Sequence, residues 1–531
     1  MQNSLSYQTI LVLFLILESA LSLYAQEILW EKSYGGIHSE YLMDAQSTAD
    51  YGFILAGSSL SGKTGNKKQE NNNNLDYWIW KMDERGNLDW QKSFGGMGAD
   101  FLLCIKNTTD GGFILAGTST SMKSGDKKDD SFGEEDFWII KLNAKGDEEW
   151  QKTIGGFGQD ILKVIHQTKD GGYIVGGSSE SAISGLKTGP HFGSMDYWIL
   201  KLNSSGFIEW QKTYGGQFRD QLETIIPTQD EGYIVGGWSN SPISGNKNEN
   251  CLGQGDYWIL KLDKNGEIEW QKTFGGEEDD HLYVLLECKN GGYLAAGNSQ
   301  SHTSGNKEKA NGKGTDFWII KLTVTGEFDW QNTYDFGQTD VLTSVVESND
   351  GSFLVGGHAK TENTGLLKAD KRGVNDFIAL KIDAKGEEKW RQTVGSGGDE
   401  ILKKLIETRD GGYVLAGTSR GDPSRDKNTG QGLSDFWVVK LKDQEKKEES
   451  ERYLSLEAIP NPTDNFTNII VNHDFENGNA SVYDITGKLL QHFQISSRTV
   501  PIELRNLPVG IYLVTITTNV SSESVKILKS K

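Results

Sequence analysis

The sequence predicts an all-β protein made of a seven-bladed β-propeller and a small C-terminal β-sandwich. Each repeat contains four strand-like segments, the number found in a propeller blade, and the two ends of the array complement each other. The repeat is marked by a tryptophan that recurs every 60 residues, at Trp30, Trp90, Trp150, Trp210, Trp270, Trp330 and Trp390. Seven repeats of this length predict seven blades.

Four segments, called A to D, make up each repeat. Segment A, DYWILKLD at 256–263, alternates and is rich in aromatic and β-branched residues, as strands are. A tight turn ending at Gly266 leads to segment B, EIEWQKTF, and glycine supplies the positive φ that such a hairpin needs. After a Gly-Gly turn come segment C, as in DILKVIHQT at 160–168, and segment D, as in YIVGGSS at 173–179. A longer polar loop returns to the next segment A.

The two ends of the array are incomplete in opposite ways. The first repeat begins at Glu27 with segment B, and the last ends with segment A, DFWVVKL at 435–441. A hairpin joins A to B elsewhere, so we expect the two ends to share a sheet and to close residues 26–441 into a ring without free edges. An open solenoid would also explain the repeats, but it would leave the matching ends as a coincidence.

The turn between segments C and D reads Thr-x-Asp-Gly-Gly-Tyr or Phe, starting at Thr108, Thr168 and Thr408. It resembles the Asp-box turn of sialidase-type propellers, and the whole repeat resembles the delta-60 type of bacterial repeat. The resemblance implies a structural role, in which the Asp side chain accepts hydrogen bonds from backbone N–H groups of the hairpin.

The termini predict an exported protein. An apolar run from Ile10 to Leu17 continues more weakly to Ala25 and ends in small residues, which is typical of a secretory signal peptide at 1–25 and too short for a membrane span. No second long apolar stretch follows, so we expect no transmembrane segment in the mature chain. Residues 442–452, KDQEKKEESER, read as a charged linker.

Residues 453–531 lack the repeat and show a small all-β pattern of their own. Their motifs are Pro460-Asn461-Pro462, Asp484-x-x-Gly487-Lys488 and Gly510-x-Tyr512, followed by a basic tail. This segment resembles the type A C-terminal sorting domain of the type IX secretion system. The resemblance implies a Gram-negative bacterium, export across both membranes, the secretion machinery as a partner, and cargo that is released or attached to the cell surface. An unrelated immunoglobulin-like domain is the alternative.

Composition and motifs exclude several functions. A net charge of −20 would repel a polyanion, so nucleic acid is not expected as a partner. The eight histidines share no repeat position, and no HExxH, GxSxG, P-loop or CxxC motif is present. We therefore predict no catalytic, metal-binding or cofactor-binding residues, apart from a possible calcium ion.

The calcium prediction comes from two acidic columns. The first column opens every segment A, at Asp76, Asp136, Asp196, Asp256, Asp316, Asp376 and Asp435. The second opens every segment C, at Glu40, Asp100, Asp160, Asp220, Asp280, Asp340 and Glu400. If segment A is the innermost strand, the first column rings the channel mouth and could bind a cation or a basic or polyhydroxylated ligand. Alternatively, each Asp caps a turn within its own blade.

The loops from D to A vary most between repeats, so we expect binding specificity there unless they are solvated spacers. The sequence thus predicts a secreted or cell-surface, non-catalytic binding or adhesion protein with a glycan or protein ligand. A secreted carbohydrate-active enzyme, a glycoside hydrolase or lyase that uses the same face, is the alternative. A structural surface-layer component is a third reading.

Overall fold

A computed structural model describes residues 26–72, 74–312, 314–361, 374–443 and 455–530. Every regular secondary-structure element named within these ranges is a β-strand. The described part of the chain offers no helix long and apolar enough to cross a membrane. The predicted signal peptide at 1–25 and most of the predicted linker lie outside the described residues.

Six sheets are built from four consecutive strands each, and a seventh combines the two ends of the repeat region. Strand β1 covers Ile28–Tyr34. The six sheets are β2–β5 (Glu40–Ser47, Phe53–Ser59, Asp76–Met82, Leu88–Phe94), β6–β9 (Asp100–Asn107, Phe113–Ser119, Asp136–Leu142, Glu148–Ile154), β10–β13 (Asp160–Gln167, Tyr173–Ser179, Asp196–Leu202, Ile208–Tyr214), β14–β17 (Asp220–Pro227, Tyr233–Ser239, Asp256–Leu262, Ile268–Phe274), β18–β21 (Asp280–Glu287, Tyr293–Ser299, Asp316–Leu322, Phe328–Tyr334) and β22–β25 (Gly337–Glu347, Phe353–Thr361, Asp376–Ile382, Glu388–Val394). Strands β26–β28 follow at Asp399–Glu407, Tyr413–Arg420 and Asp435–Leu441.

The strand order in every sheet is segment C, D, A, B, with antiparallel neighbours. In the seventh sheet, β1 supplies segment B by pairing with β28, where Ser33 lies opposite Trp437. The described residues therefore contain seven four-stranded sheets that resemble propeller blades.

The two middle strands of each sheet carry the core. Strand β16 is buried along its whole length, because both faces of the sheet pack against neighbouring sheets. Trp258 on this strand packs against Tyr197 of the preceding sheet, with ring centroids 4.9 Å apart. Its indole N–H donates to Gln271 Oε1 at 3.1 Å on the adjacent strand β17. Trp258 belongs to a second column, at the third position of segment A, which holds Trp78, Trp138, Trp198, Trp258, Trp318, Ile378 and Trp437. The tryptophans of this column are buried and pack between sheets.

Segment C is the edge at which neighbouring sheets converge. Strands β2, β6, β10, β14, β18, β22 and β26 each contact the next in this series, and β26 contacts β2. The expectation that segment A is the innermost strand is wrong, because A is the third strand and is covered by D and B on its two sides.

The C-terminal region forms two further sheets. Its strands are β29 (Leu456–Ile459), β30 (Phe466–Val471), β31 (Gly478–Asp484), β32 (Leu489–Ile495), β33 (Thr499–Glu503), β34 (Gly510–Thr518) and β35 (Ser522–Lys529). One sheet has the order β29-β30-β33 and the other β32-β31-β34-β35. They share a buried apolar core that includes Ile469, Val500, Val482 and Val514.

Candidate functional site

The two acidic columns meet in pairs at the junctions between sheets. The backbone N–H of Asp100 donates to the carbonyl of Leu75 at 2.7 Å, which brings Asp100 beside Asp76 of the preceding sheet. The same contact recurs at Asp220 and at Asp280. All fourteen acids are at most 2% exposed, so the first column is covered rather than open to solvent.

Each buried carboxylate holds a turn. Asp196 Oδ2 accepts the N–H of Phe192 at 2.8 Å, which fixes the end of the loop that leads into segment A. Asp220 Oδ2 accepts the N–H of Gly216 at 2.6 Å and the hydroxyl of Ser241 at 2.9 Å, which fixes the Gly-Gly turn. These contacts are those of turn-capping residues.

Burial also changes the acidity of these pairs. It raises the pKa of Asp76 to about 7, and the nearby carboxylate of Asp100 adds to the rise. Lys67, a buried loop lysine whose Nζ donates to the carbonyl of Ser61 at 2.6 Å, opposes the rise with its charge. Burial in turn lowers the pKa of Lys67. This junction thus holds two acids and a nearby lysine under the loop.

The junction between the sheets β18–β21 and β22–β25, called the sixth junction because it follows the sixth repeat tryptophan, Trp330, contains a third acid. Asp316, Asp335 and Asp340 each offer one carboxylate oxygen, and the three atoms lie within 4.8 Å of one another. Asp316 and Asp340 are buried, whereas Asp335 is exposed. In the sequence, this site is indicated by Tyr334-Asp335-Phe336, which replaces the usual Gly-Gly turn. Asp335 belongs to neither acidic column, so the comparison of repeated acids does not identify it.

A second cluster missed by the sequence reasoning lies on the converging segment C strands. Lys106 Nζ is 2.7 Å from Asp44 Oδ2, and Lys404 Nζ is 3.8 Å from Asp44 Oδ1. Burial alone would raise the pKa of Asp44, but the two ammonium groups overcome it and lower that pKa to about 2. Burial and the same lysines lower the pKa of His166 to about 3. In the sequence, this cluster is indicated only by charged residues that differ from repeat to repeat.

The strand ends that carry the acidic pairs form a loop rim, defined here as turns 35–38, 95–98, 155–158 and 215–218 with loops 60–72, 120–135, 180–195 and 240–255. Each turn is tied to the loop of the next sheet: the N–H of Met97 donates to Ser124 Oγ, and that of Phe157 to Ser184 Oγ, both at 2.9 Å. Exposed apolar side chains occur along this rim, at Ile37, Met97, Met122, Phe157, Ile183, Phe218 and Ile243.

The predicted sorting-motif residues hold the C-terminal sheets together. Asn461 accepts the N–H of Leu528 at 2.9 Å and donates to the carbonyl of Lys526 at 2.8 Å. Pro460 and Pro462 flank Asn461 between β29 and β30. The buried Tyr512, two residues after Gly510 on β34, donates its hydroxyl to the carbonyl of Pro508.

The turn from β31 to β32 contains the remaining motif residues. Asp484 Oδ1 accepts the N–H of Lys488 at 3.0 Å, and Gly487 adopts a positive φ of 83° between them. Side-chain and backbone hydrogen bonds from this turn lower the pKa of Asp484.

The C-terminal sheets contact the end of the repeat region opposite the loop rim. Arg85, in a turn between A and B, pairs with Asp474 at 2.8 Å, and Glu149 pairs with Arg505 at 3.2 Å. Asp50, in a turn between C and D, accepts a hydrogen bond from Asn468 at 3.0 Å. The described C-terminal residues therefore leave the loop rim uncovered.

Comparisons with known proteins identify the C-terminal region. Residues 457–530 match the family described as "Secretion system C-terminal sorting domain". This confirms the sorting prediction: the domain directs export by the type IX secretion system to the cell surface or the extracellular space, and it engages that machinery.

Other similarities are more distant. The chain is 23% identical over 387 residues to the regulatory protein FlaEY of Caulobacter vibrioides, which covers 64% of this chain and 39% of that protein. Among solved structures, the Pan2 WD40 domain of Neurospora crassa is 10% identical, with 81% of this chain and 100% of that chain covered and a TM-score of 0.44. Sqt1 from Chaetomium thermophilum is 10% identical, with 78% and 87% covered and a TM-score of 0.38. None of these similarities bears on function.

Proposed function

We propose that this exported protein is a non-catalytic binding protein whose seven sheets close into a β-propeller and present the loop rim to a protein partner outside the cell. The observation that carries the proposal is the series of exposed apolar side chains along that rim. In soluble proteins, extended exposed apolar surface marks interaction sites.

Ring closure is supported by contacts between the first and last sheets. Tyr34 on β1 packs against Trp80 with ring centroids 4.4 Å apart, and Phe436 on β28 packs against Trp78 at 4.7 Å. These side chains share one buried cluster. Together with the contact between β2 and β26, they join the seventh sheet to the first as the other sheets are joined to their neighbours.

The side chains on the rim favour a protein partner. Met97 is 72% exposed, Phe157 70% and Ile183 69%. Methionine and aromatic residues are enriched in protein interfaces, where flexible or flat apolar groups fill pockets of the partner. The polar loops around them would form the hydrated edge of such an interface.

The alternative of a glycoside hydrolase finds less support. Hydrolysis needs two carboxyl groups that reach the scissile bond, roughly 5–9.5 Å apart. The acids of the predicted columns are buried and engaged in turns. At the sixth junction, Asp335 adds an exposed carboxylate to such a pair.

The test compares the mature chain with a rim variant carrying Met97→Ser, Phe157→Ser and Ile183→Ser. A matched control carries Phe207→Ser and Val324→Ser, which are exposed to a similar degree in turns at the opposite end. Binding to proteins extracted from the outer surface of the producing cells and to a panel of polysaccharides is measured, together with new reducing or unsaturated ends.

We expect the rim variant to lose at least ten-fold in affinity for the protein fraction, while the control retains it. Equal binding by wild type and rim variant would refute the rim as the site. Retention on polysaccharide alone would identify a glycan ligand instead, and new chain ends would support the enzyme alternative.

A further inference from the structure

The sixth junction departs from the other six in the turn after segment B, which begins with Asp335-Phe336. The turn after segment B elsewhere begins with a glycine, at Gly35, Gly95, Gly155, Gly215, Gly275 and Gly395. A Cβ added at any of them would lie 1.7–2.2 Å from Oδ1 of the aspartate that opens segment A. Asp335 takes this position in the sixth repeat, so its side chain requires a different backbone path.

The backbone does change there. Strand β22 begins at Gly337, three residues before Asp340, whereas β18 begins at the equivalent residue Asp280. Its register against β23 is irregular between Gly337 and Asp340. The altered path admits the Asp335 carboxylate into the junction, where every other repeat has only a glycine Cα.

We propose that Asp316, Asp335 and Asp340 bind a calcium ion. One carboxylate oxygen of each lies within 4.8 Å of the others. Asp316 and Asp340 are 0% exposed, and in each the Oδ1 atom is buried without a hydrogen-bond partner among the described residues. Unpartnered Oδ1 atoms recur in the paired acids of other junctions, but within the described residues a third carboxylate converges on such a pair here. Burying a carboxylate oxygen without a partner costs free energy, which a bound cation would offset.

The second oxygen of each buried acid is already committed, which fixes the side chain. Asp316 Oδ2 accepts the N–H of Gly312 at 2.8 Å, and Asp340 Oδ2 accepts the N–H of Phe336 at 2.7 Å. Asp335 Oδ1 accepts the N–H of Gly337 at 2.9 Å. One oxygen of each acid is thus held by a backbone N–H group.

Among the described residues, Lys307 and Arg391 act on these carboxylates through their charge but form no ion pair with them. Lys307 Nζ donates to Asn311 and, at 3.0 Å, to Thr333. Arg391 lies over the Phe336 ring at 4.6 Å, pairs with Glu388, and donates to the backbone carbonyl of Asp335 rather than to its carboxylate. Three like charges therefore meet in one mostly buried place, and a divalent cation would offset their repulsion.

The donors select calcium. They are all carboxylate oxygens, which suit hard cations and not zinc or copper. Calcium–oxygen bonds of roughly 2.3–2.6 Å let two donors up to about 5 Å apart share one ion, whereas magnesium bonds of roughly 2.0–2.1 Å require tighter convergence. Exposed Asp335 leaves an entry path and room for water ligands. Three protein ligands predict an affinity in the range of extracellular modules, roughly 10⁻⁴–10⁻³ M.

The test is calorimetric titration of the mature chain with CaCl₂, in wild type and in Asp335→Asn, which removes one charged ligand at an exposed position. Asp335→Gly restores the residue of the other repeats and serves as a second variant. Glu277→Gln is the matched control, because Glu277 is an exposed acid in the corresponding turn of the preceding repeat. Circular dichroism checks that each variant is folded.

We expect wild type and Glu277→Gln to bind one more calcium ion per chain than Asp335→Asn and Asp335→Gly, or to bind that ion at least ten-fold more tightly. Magnesium at equal concentration should not displace it. The proposal is overturned if wild type shows no binding up to 10 mM calcium, about ten times the weakest affinity expected. It is also overturned if the Asp335 variants bind like wild type, or if Glu277→Gln loses the ion as they do.

Discussion

Replacing Trp258 by alanine should lower the free energy of unfolding of the repeat region by about 4 kcal/mol, within the range of buried aromatic truncations. Trp258 is fully buried on β16 and packs against Tyr197 across the sheet junction. It also donates a hydrogen bond to Gln271 at 3.1 Å. The truncation therefore removes a contact between sheets as well as one within a sheet.

The magnitude follows from the area removed. A buried aromatic side chain hides roughly 150–250 Å², which at about 25 cal/mol per Å² corresponds to about 4–6 kcal/mol. Burial measured against an extended chain is an upper bound, and partial collapse of the cavity recovers some of the loss. A domain is stabilised by only about 5–15 kcal/mol in total, so a single such change is easily measured.

Urea unfolding of the mature chain, followed by far-ultraviolet circular dichroism, measures the effect. Trp270→Ala is the control, because Trp270 lies in the same sheet but on edge strand β17 and is only partly buried. We expect the control to cost less than half as much. A cost below about 1.5 kcal/mol for Trp258→Ala, well under the usual range, or an equal cost for both, would refute the assignment of this column to the core.

Three further changes test the junctions. Gly275→Ala places a Cβ 1.8 Å from Asp256 Oδ1 and should lower the melting temperature clearly; an unchanged melting temperature would contradict the close packing. Tyr257→Phe removes only the hydroxyl that donates to the Trp318 carbonyl at 3.1 Å, so urea titration should show a cost of about 1 kcal/mol, and a cost above about 2.5 would argue against the geometry. Asp76, whose pKa burial raises to about 7, favours the folded state when protonated. This stabilisation is complete below about pH 4 and is lost as the pH rises to 7, so Asp76→Asn should flatten the fall in melting temperature from pH 4.5 to 7.5, and an unchanged slope would refute it.

Strand positions could be predicted from the sequence because they are set locally. Segment A was placed at 256–263, and β16 covers Asp256–Leu262. The position of A within the sheet could not be predicted in the same way. Lys261 alternates with apolar residues as if it faced solvent, yet it is buried, because Asp230 and Glu269 from other segments pair with it at 2.8 and 3.0 Å. The burial of Lys261 therefore depends on acidic residues from other segments, which the pattern of segment A alone does not reveal.

The candidate sites show the same limit. Repeated acids give the strongest sequence signal, but a residue recurs because every sheet needs the same contact, as the turns held by Asp196 and Asp220 illustrate. Residues that differ between repeats give a weak signal, since nothing local distinguishes Asp335 or Lys106 from an ordinary surface charge. Only the assembled sheets bring Asp335 to Asp316 and Lys106 to Asp44.

This division between repeated and unique residues also keeps the two proposals separable. The exposed apolar residues Met97, Phe157 and Ile183 all lie between β5 and β12, whereas Asp335 follows the sheet that ends at Tyr334. In a repeat array each sheet depends mainly on its neighbours, so a local change is transmitted weakly to distant sheets. Loss of calcium binding with the partner retained would therefore confine the ion to a stabilising role at its own junction. Loss of both in Asp335→Asn alone would instead place the partner on the sixth junction and move the binding surface away from Met97 and Phe157.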